Sequence, residues 1–171
     1  MTHDQVEAMT LGDTLVVIRD GIAEQIGTPI EVYERPTTTY VGGFIGSPAM
    51  NFLPGRVEGG AAILDEGPTL PLPVAGRGRT GGDDVILGIR PEHIVAGEEH
   101  DRQEARFAMK VEIPETLRAD TLLYGAMTAR GDAVTLCAPG HRGFRIGDSI
   151  PLDASFAPLH VFDAESGRRL A

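Results

Sequence analysis

Several stretches carry residue types that do chemistry in other settings. Ala61-Ala62-Ile63-Leu64-Asp65-Glu66 is an apolar run ending in two carboxylates. In nucleotide hydrolases such a pair holds Mg²⁺ and activates water, but only beside a glycine-rich phosphate loop ending in Gly-Lys-Ser/Thr. The sequence has one lysine, Lys110, between Met109 and Val111, and no such loop. Gly67-Pro68 follows the acidic pair, so the segment reads as a β-turn. Gly76-Arg77-Gly78-Arg79-Thr80-Gly81 matches a dinucleotide-binding spacing. It lacks the strand before and the helix after that would bring a helix N-terminus to a pyrophosphate, so it reads as a surface loop.

The five histidines, His3, His93, His100, His141 and His160, form no zinc-like set with Cys137 or with each other. Glu98-Glu99-His100-Asp101 reads as a solvated loop, and Gly147-Asp148-Ser149 lacks the closing glycine of a nucleophile elbow. His3 falls at an expected helix start, where free N–H groups suit an anion. Spacing alone makes it an ordinary first-turn residue.

The elements that would position these residues come in two styles. Thr2-His3-Asp4-Gln5 has capping-box spacing and predicts a helix over 2–13. Asp20-Gly21 predicts a hairpin between strands at 14–19 and 22–26. Thr28-Pro29-Ile30-Glu31 is a second capping box, with proline at the first helical position and a stop near Arg35-Pro36. A third helical run covers 37–45, and its Gly42-Gly43 pair predicts a close packing contact. Beyond Gly46-Ser47-Pro48 the chain becomes short apolar runs broken by Gly, Pro and Asp. Strands are expected near 52–58, 60–64, 69–74, 85–90, 105–113, 120–126, 132–138, 149–154 and 159–163, as in a small barrel or sandwich. A loose repeat runs through this region. Gly82-Asp83 precedes Pro91-Glu92-His93-Ile94-Val95, and Gly147-Asp148 precedes Pro158-Leu159-His160-Val161-Phe162.

The formal charge of −10 disfavours nucleic acid and anionic membrane surfaces. A single cysteine permits no internal disulfide and reads as a small buried strand residue. No apolar run approaches the ~18 residues of a membrane-spanning helix.

Thr2-His3-Asp4-Gln5-Val6-Glu7-Ala8-Met9-Thr10 closely resembles the switch-histidine segment of the maltose/glycerol-phosphate class of ABC importer ATP-binding subunits. Gln25-Ile26-Gly27-Thr28-Pro29-Ile30-Glu31-Val32-Tyr33 and Val41-Gly42-Gly43-Phe44-Ile45-Gly46-Ser47-Pro48 continue the resemblance. Leu87-Gly88-Ile89-Arg90-Pro91-Glu92-His93, His160-Val161-Phe162-Asp163 and Gly167-Arg168-Arg169-Leu170 are similar to the family's TOBE-type regulatory domain. Arg118 stands where the family usually has glycine.

The resemblance implies a mainly β fold. Residues 1–48 would be an α/β remnant of the nucleotide-binding domain, and 49–171 a tandem OB-like TOBE barrel. It implies that His3 is the switch histidine, orphaned from phosphate loop, signature motif and metal-binding strand. The chain itself is then expected to be no enzyme and to bind no cofactor or metal, whereas the full-length family uses ATP and Mg²⁺. A homodimer, membrane permease partners, no nucleic acid, no direct membrane insertion and a cytoplasmic place beside the inner membrane are expected. The function implied is the regulatory and dimerising portion of a subunit importing sugars or related solutes. The alternative is a barrel that senses a small oxyanion or solute through Arg90, Glu92 and His93. Against it stands a structural reading, with Arg90 paired to an acidic neighbour and His93 packed at a strand end.

Overall fold

The computed structural model describes residues 4–64, 69–71, 84–96, 106–117, 119–127, 131–140, 142–154 and 158–170. The expectations placed on His3, Asp65-Glu66, the Gly76–Gly81 loop, Glu98–Asp101, Arg118 and His141 lie outside these residues.

The first part is a set of short local structures. Helix α1 (Gln5–Leu11) is shorter than the span 2–13 and starts later than Thr2 suggests. Its N-cap is Asp4, whose carboxylate accepts from the backbone N–H of Val6 (2.9 Å) and of Glu7 (3.1 Å). One carboxylate thereby satisfies two orphan donors. Gln5, expected to close a capping box, instead accepts from the Gly46 N–H at 3.0 Å. Strands β1 (Leu15–Arg19) and β2 (Ile22–Gly27) form the hairpin, with positive φ at Asp20 (50°) and Gly21 (80°). Those angles belong to the tight turn that matches strand twist. Helix α2 (Pro29–Glu34) carries the full capping box between Thr28 and Glu31. Helix α3 (Thr39–Phe44) brings Gly42 and Gly43 against Met50 and Phe52, where added Cβ atoms would approach to 3.1 and 3.2 Å. Val17, Val32, Val41 and Ile45 make a small core of their own.

The second part is two five-stranded antiparallel sheets. The first is built from β3 (Asn51–Glu58), β4 (Ala61–Leu64), β5 (Thr69–Pro71) and β6 (Asp84–Ile89). The second is built from β8 (Arg106–Leu117), β9 (Asp120–Met127), β10 (Ala133–Pro139) and β11 (Ser149–Asp153). The two short strands β7 (Val95–Ala96) and β12 (His160–Asp163) are exchanged. The sheet orders are β12-β6-β3-β4-β5 and β7-β11-β8-β9-β10, so each half completes the other's sheet. Val161 pairs with Leu87, and Ala96 with Leu152. The loose sequence repeat is therefore a structural one. Each Pro-x-His marks the crossing, the first as a 3-10 turn over Pro91–His93.

Both sheets contribute to one core, including Leu53, Leu87, Met109, Leu123, Leu136 and Leu152. Strand β8 runs past its expected end at 113. Beyond Lys110 it has lost β11 as a neighbour, so Pro114 sits on an edge that needs no N–H from it. Among the described residues, no helix is long and apolar enough to cross a membrane.

Candidate functional site

Among the described residues, the most deeply buried charged group is the guanidinium of Arg90, at the end of β6. The residue is only 1% exposed. Burying a cation without compensation is costly, so its donors must be satisfied. Nη1 donates to the carbonyl of Ile45 and Nη2 to that of Tyr33, each at 2.6 Å. The plane lies over the Tyr33 ring, 3.7 Å from its centroid. The Tyr33 hydroxyl donates to Glu92 Oε1. Arg90 therefore reaches from the barrel into α2 and the end of α3, ties off two backbone acceptors, and lets Glu92 balance its charge through a tyrosine. Burial lowers the Arg90 pKa, opposed by Tyr33 and Glu92. Burial, and then the bond to Glu92, raise the Tyr33 phenol to about 12. Gly46 completes the clamp. With φ at +123°, a Cβ there would stand 2.6 Å from Arg90 Nη1.

Two further seams are present, one between the two sheets of the barrel and one between the barrel's tail and the first part. Asn51 donates to the Thr135 carbonyl (2.8 Å) and accepts from the Thr135 N–H (2.7 Å), bridging β3 to β10. The tail after β12 lies along the strand-like entry to α3. The Thr39 N–H donates to the Gly167 carbonyl, and the Arg169 N–H to the Thr37 carbonyl.

Of the residues singled out from sequence, Arg90 and Glu92 are brought together through Tyr33, their shared partner. His93 lies in the 3-10 turn, and its Nδ1 is buried without a hydrogen-bond partner. The equivalent His160 on β12 has the same orphaned Nδ1. Burial first, then the charges of Arg169, Arg90 and His93, lower the His160 pKa to about 4. Lys110 is exposed in mid-ladder, paired with Ala126 on one side and Ser149 on the other. A triphosphate cradle needs its lysine at a glycine-rich loop opening a helix, so Lys110 does not fit one. No group of three His, Cys, Asp or Glu able to hold a metal occurs among the described residues. Cys137 is free and half-buried on β10.

Sequence reasoning gave no role to Tyr33, Asn51 or Thr135. Their partners are distant in the chain. The only local sign was polarity out of place, Asn51 between Met50 and Phe52.

These sheets and their exchanged strands define a tandem barrel of the oligomer-binding and TOBE type. Residues 46–94 match the MalK OB fold domain and residues 87–162 the TOBE domain. A crystal structure of the cytoplasmic molybdate-binding protein ModG shares the fold. It has a TM-score of 0.52 and 19% identity, covering 64% of this chain and 94% of that one. The sn-glycerol-3-phosphate import ATP-binding protein UgpC of Cereibacter sphaeroides is 48% identical over 171 residues, covering 99% of this chain and 46% of that protein. Its counterpart in Ruegeria pomeroyi is 43% identical over 171 residues, covering 100% and 46%. The chain belongs to the ABC sugar-importer ATP-binding subunits and corresponds to their C-terminal regulatory part. It spans about half the length of the curated relatives it matches.

Proposed function

We propose that this chain is the regulatory and dimerising portion of the ATP-binding subunit of an importer for a glycerol phosphate, sugar or related solute. The observation that carries this reading is the Arg90 clamp. It fastens a barrel of the regulatory type to a segment similar to the end of a nucleotide-binding domain, so that a movement of one is passed to the other. In the complete subunit His3 would meet the γ-phosphate of ATP bound with Mg²⁺. Permease partners would hold the assembly at the cytoplasmic face of the inner membrane. By itself the chain hydrolyses no ATP, because phosphoryl transfer depends on positioning groups that this sequence lacks. The division at residues 48 and 49 is part of the same reading.

Large exposed side chains on the first part support a missing partner. Val6, Leu11, Ile22, Ile26 and Ile30 are all exposed. Val32 and Ile45, by contrast, are buried in the small core. Apolar surface of this kind is usually covered. The purified chain should show no binding of radiolabelled ATP and a light-scattering mass twice that of the monomer. Micromolar ATP affinity would refute the absence of a nucleotide site, and a monomer mass would refute the dimer.

A further inference from the structure

We propose that the chain binds a phosphoryl dianion, as inorganic phosphate or a phosphate monoester, in an arginine-lined cleft where its tail crosses the entry to α3. The cleft has a volume of about 800 Å³ and is lined by Arg35, Arg168, Arg169, Thr37, Thr38 and Glu24, with Leu170 beside them. Three of the chain's 15 basic side chains meet here in a molecule of net charge −10. None of the three guanidinium groups has an ion pair or hydrogen bond among the described residues, where the only arginine ion pairs are those of Arg19 and Arg56. The half-buried Arg169 is pressed by burial and by the positive charge of Arg35, both of which lower its pKa. The backbone makes this arrangement unavoidable. The Arg169 N–H is tied to the Thr37 carbonyl, Arg168 is bridged to Thr38, and Arg35 caps the end of α2.

Three cations brought to one cleft, of which Arg169 is half-buried while Arg35 and Arg168 are exposed and Arg35 also feels the Glu31 carboxylate, form a site suited to an anion. Glu24 is the one carboxylate in the lining, set against three guanidinium groups. Planar guanidinium forks match the tetrahedral oxyanion of a phosphoryl group, which can take several charge-assisted hydrogen bonds at once. The Thr38 hydroxyl accepts from the Val41 N–H, which leaves its own proton to donate. A cleft of this size falls within the range of small-ligand sites, with room for an organic portion beyond the phosphate. Its walls come from both parts of the molecule, so occupancy would brace their seam. The inference concerns the isolated chain and stands whether or not the transport reading holds.

Titration calorimetry of the chain with inorganic phosphate, and separately with glucose 6-phosphate, tests it. The expected dissociation constant is below about 1 mM for at least one of the two. Tighter binding of the ester identifies a seated organic portion, and equal binding identifies the phosphoryl group alone. Arg35→Gln and Arg169→Gln should each weaken binding by about tenfold or more. Arg56→Gln, on β3 and away from the cleft, should leave binding unchanged. Thermal melting of each variant checks folding, and exposed Arg35 keeps the test intact if Arg169→Gln unfolds. The proposal is overturned by no heat from either ligand up to about 10 mM, or by cleft variants that bind within about twofold of the parent chain.

Discussion

At the scale of single residues, Arg90 holds more of the molecule together than any other polar side chain described. Its value lies in what it satisfies: removing it leaves two carbonyls unpaired in a buried place and the Tyr33 face uncovered. Arg90→Ala should lower unfolding stability by about 3 kcal/mol. Arg90→Lys should recover only part of this, because an ammonium cannot reproduce the fork that reaches two acceptors while standing over a ring. Urea denaturation of the three proteins measures the order. His160 supplies a pH dependence. Its folded pKa, about 4, lies below the ordinary 6.5, so the unfolded chain binds the proton more readily. The sign follows from linkage: the contribution is intact above pH 6.5 and is lost as pH falls toward about 4. His160→Gln should flatten that decline, measured as the urea midpoint over the same pH window.

At the scale of elements, the barrel depends on glycines where strands press together. Gly125 on β9 faces β8, and a Cβ there would run into the Lys110 carbonyl oxygen and lie 2.8 Å from Met109 Cε. Backbone cannot move aside as a side-chain end can. Gly125→Ala should therefore cost about 2–3 kcal/mol of stability, read from chemical denaturation. Gly143, where an added Cβ meets nothing within 4 Å, provides a control in which alanine is tolerated. The strand exchange has an energetic meaning as well. β7 has only two residues and β12 only four, yet each caps the sheet of the opposite half. Neither half has a complete sheet without the other.

At the scale of the whole molecule, the chain has a large β core and a small satellite core under α2 and α3. The clamp at Arg90 and the crossing of the tail over residues 37–39 couple them, while the Asn51–Thr135 pair ties the two sheets of the barrel to each other. The arginine cleft sits at the crossing of the tail, and exposed apolar side chains stand on α1, the hairpin and α2.

Much of this was legible locally. The Asp20-Gly21 hairpin, the Thr28 capping box, the close approach at Gly42-Gly43 and every barrel strand except β7 follow from alternation, turn chemistry and caps, which act over a few residues. The Pro-x-His repeat was visible too, but not its meaning. Short range also explains the errors. Thr2 and Asp4 both suit an N-cap, and only the geometry of the turn selects Asp4. A two-residue strand such as β7 carries too little alternation to be seen. The sequence by itself determined the elements, the repeat and the family, because each is written in neighbouring residues. The tertiary structure alone decided which strand completes which sheet, what Arg90 holds, and that Arg35, Arg168 and Arg169 share one cleft. Those facts depend on segments far apart in the chain being brought together by a common core, and no local pattern records such a meeting.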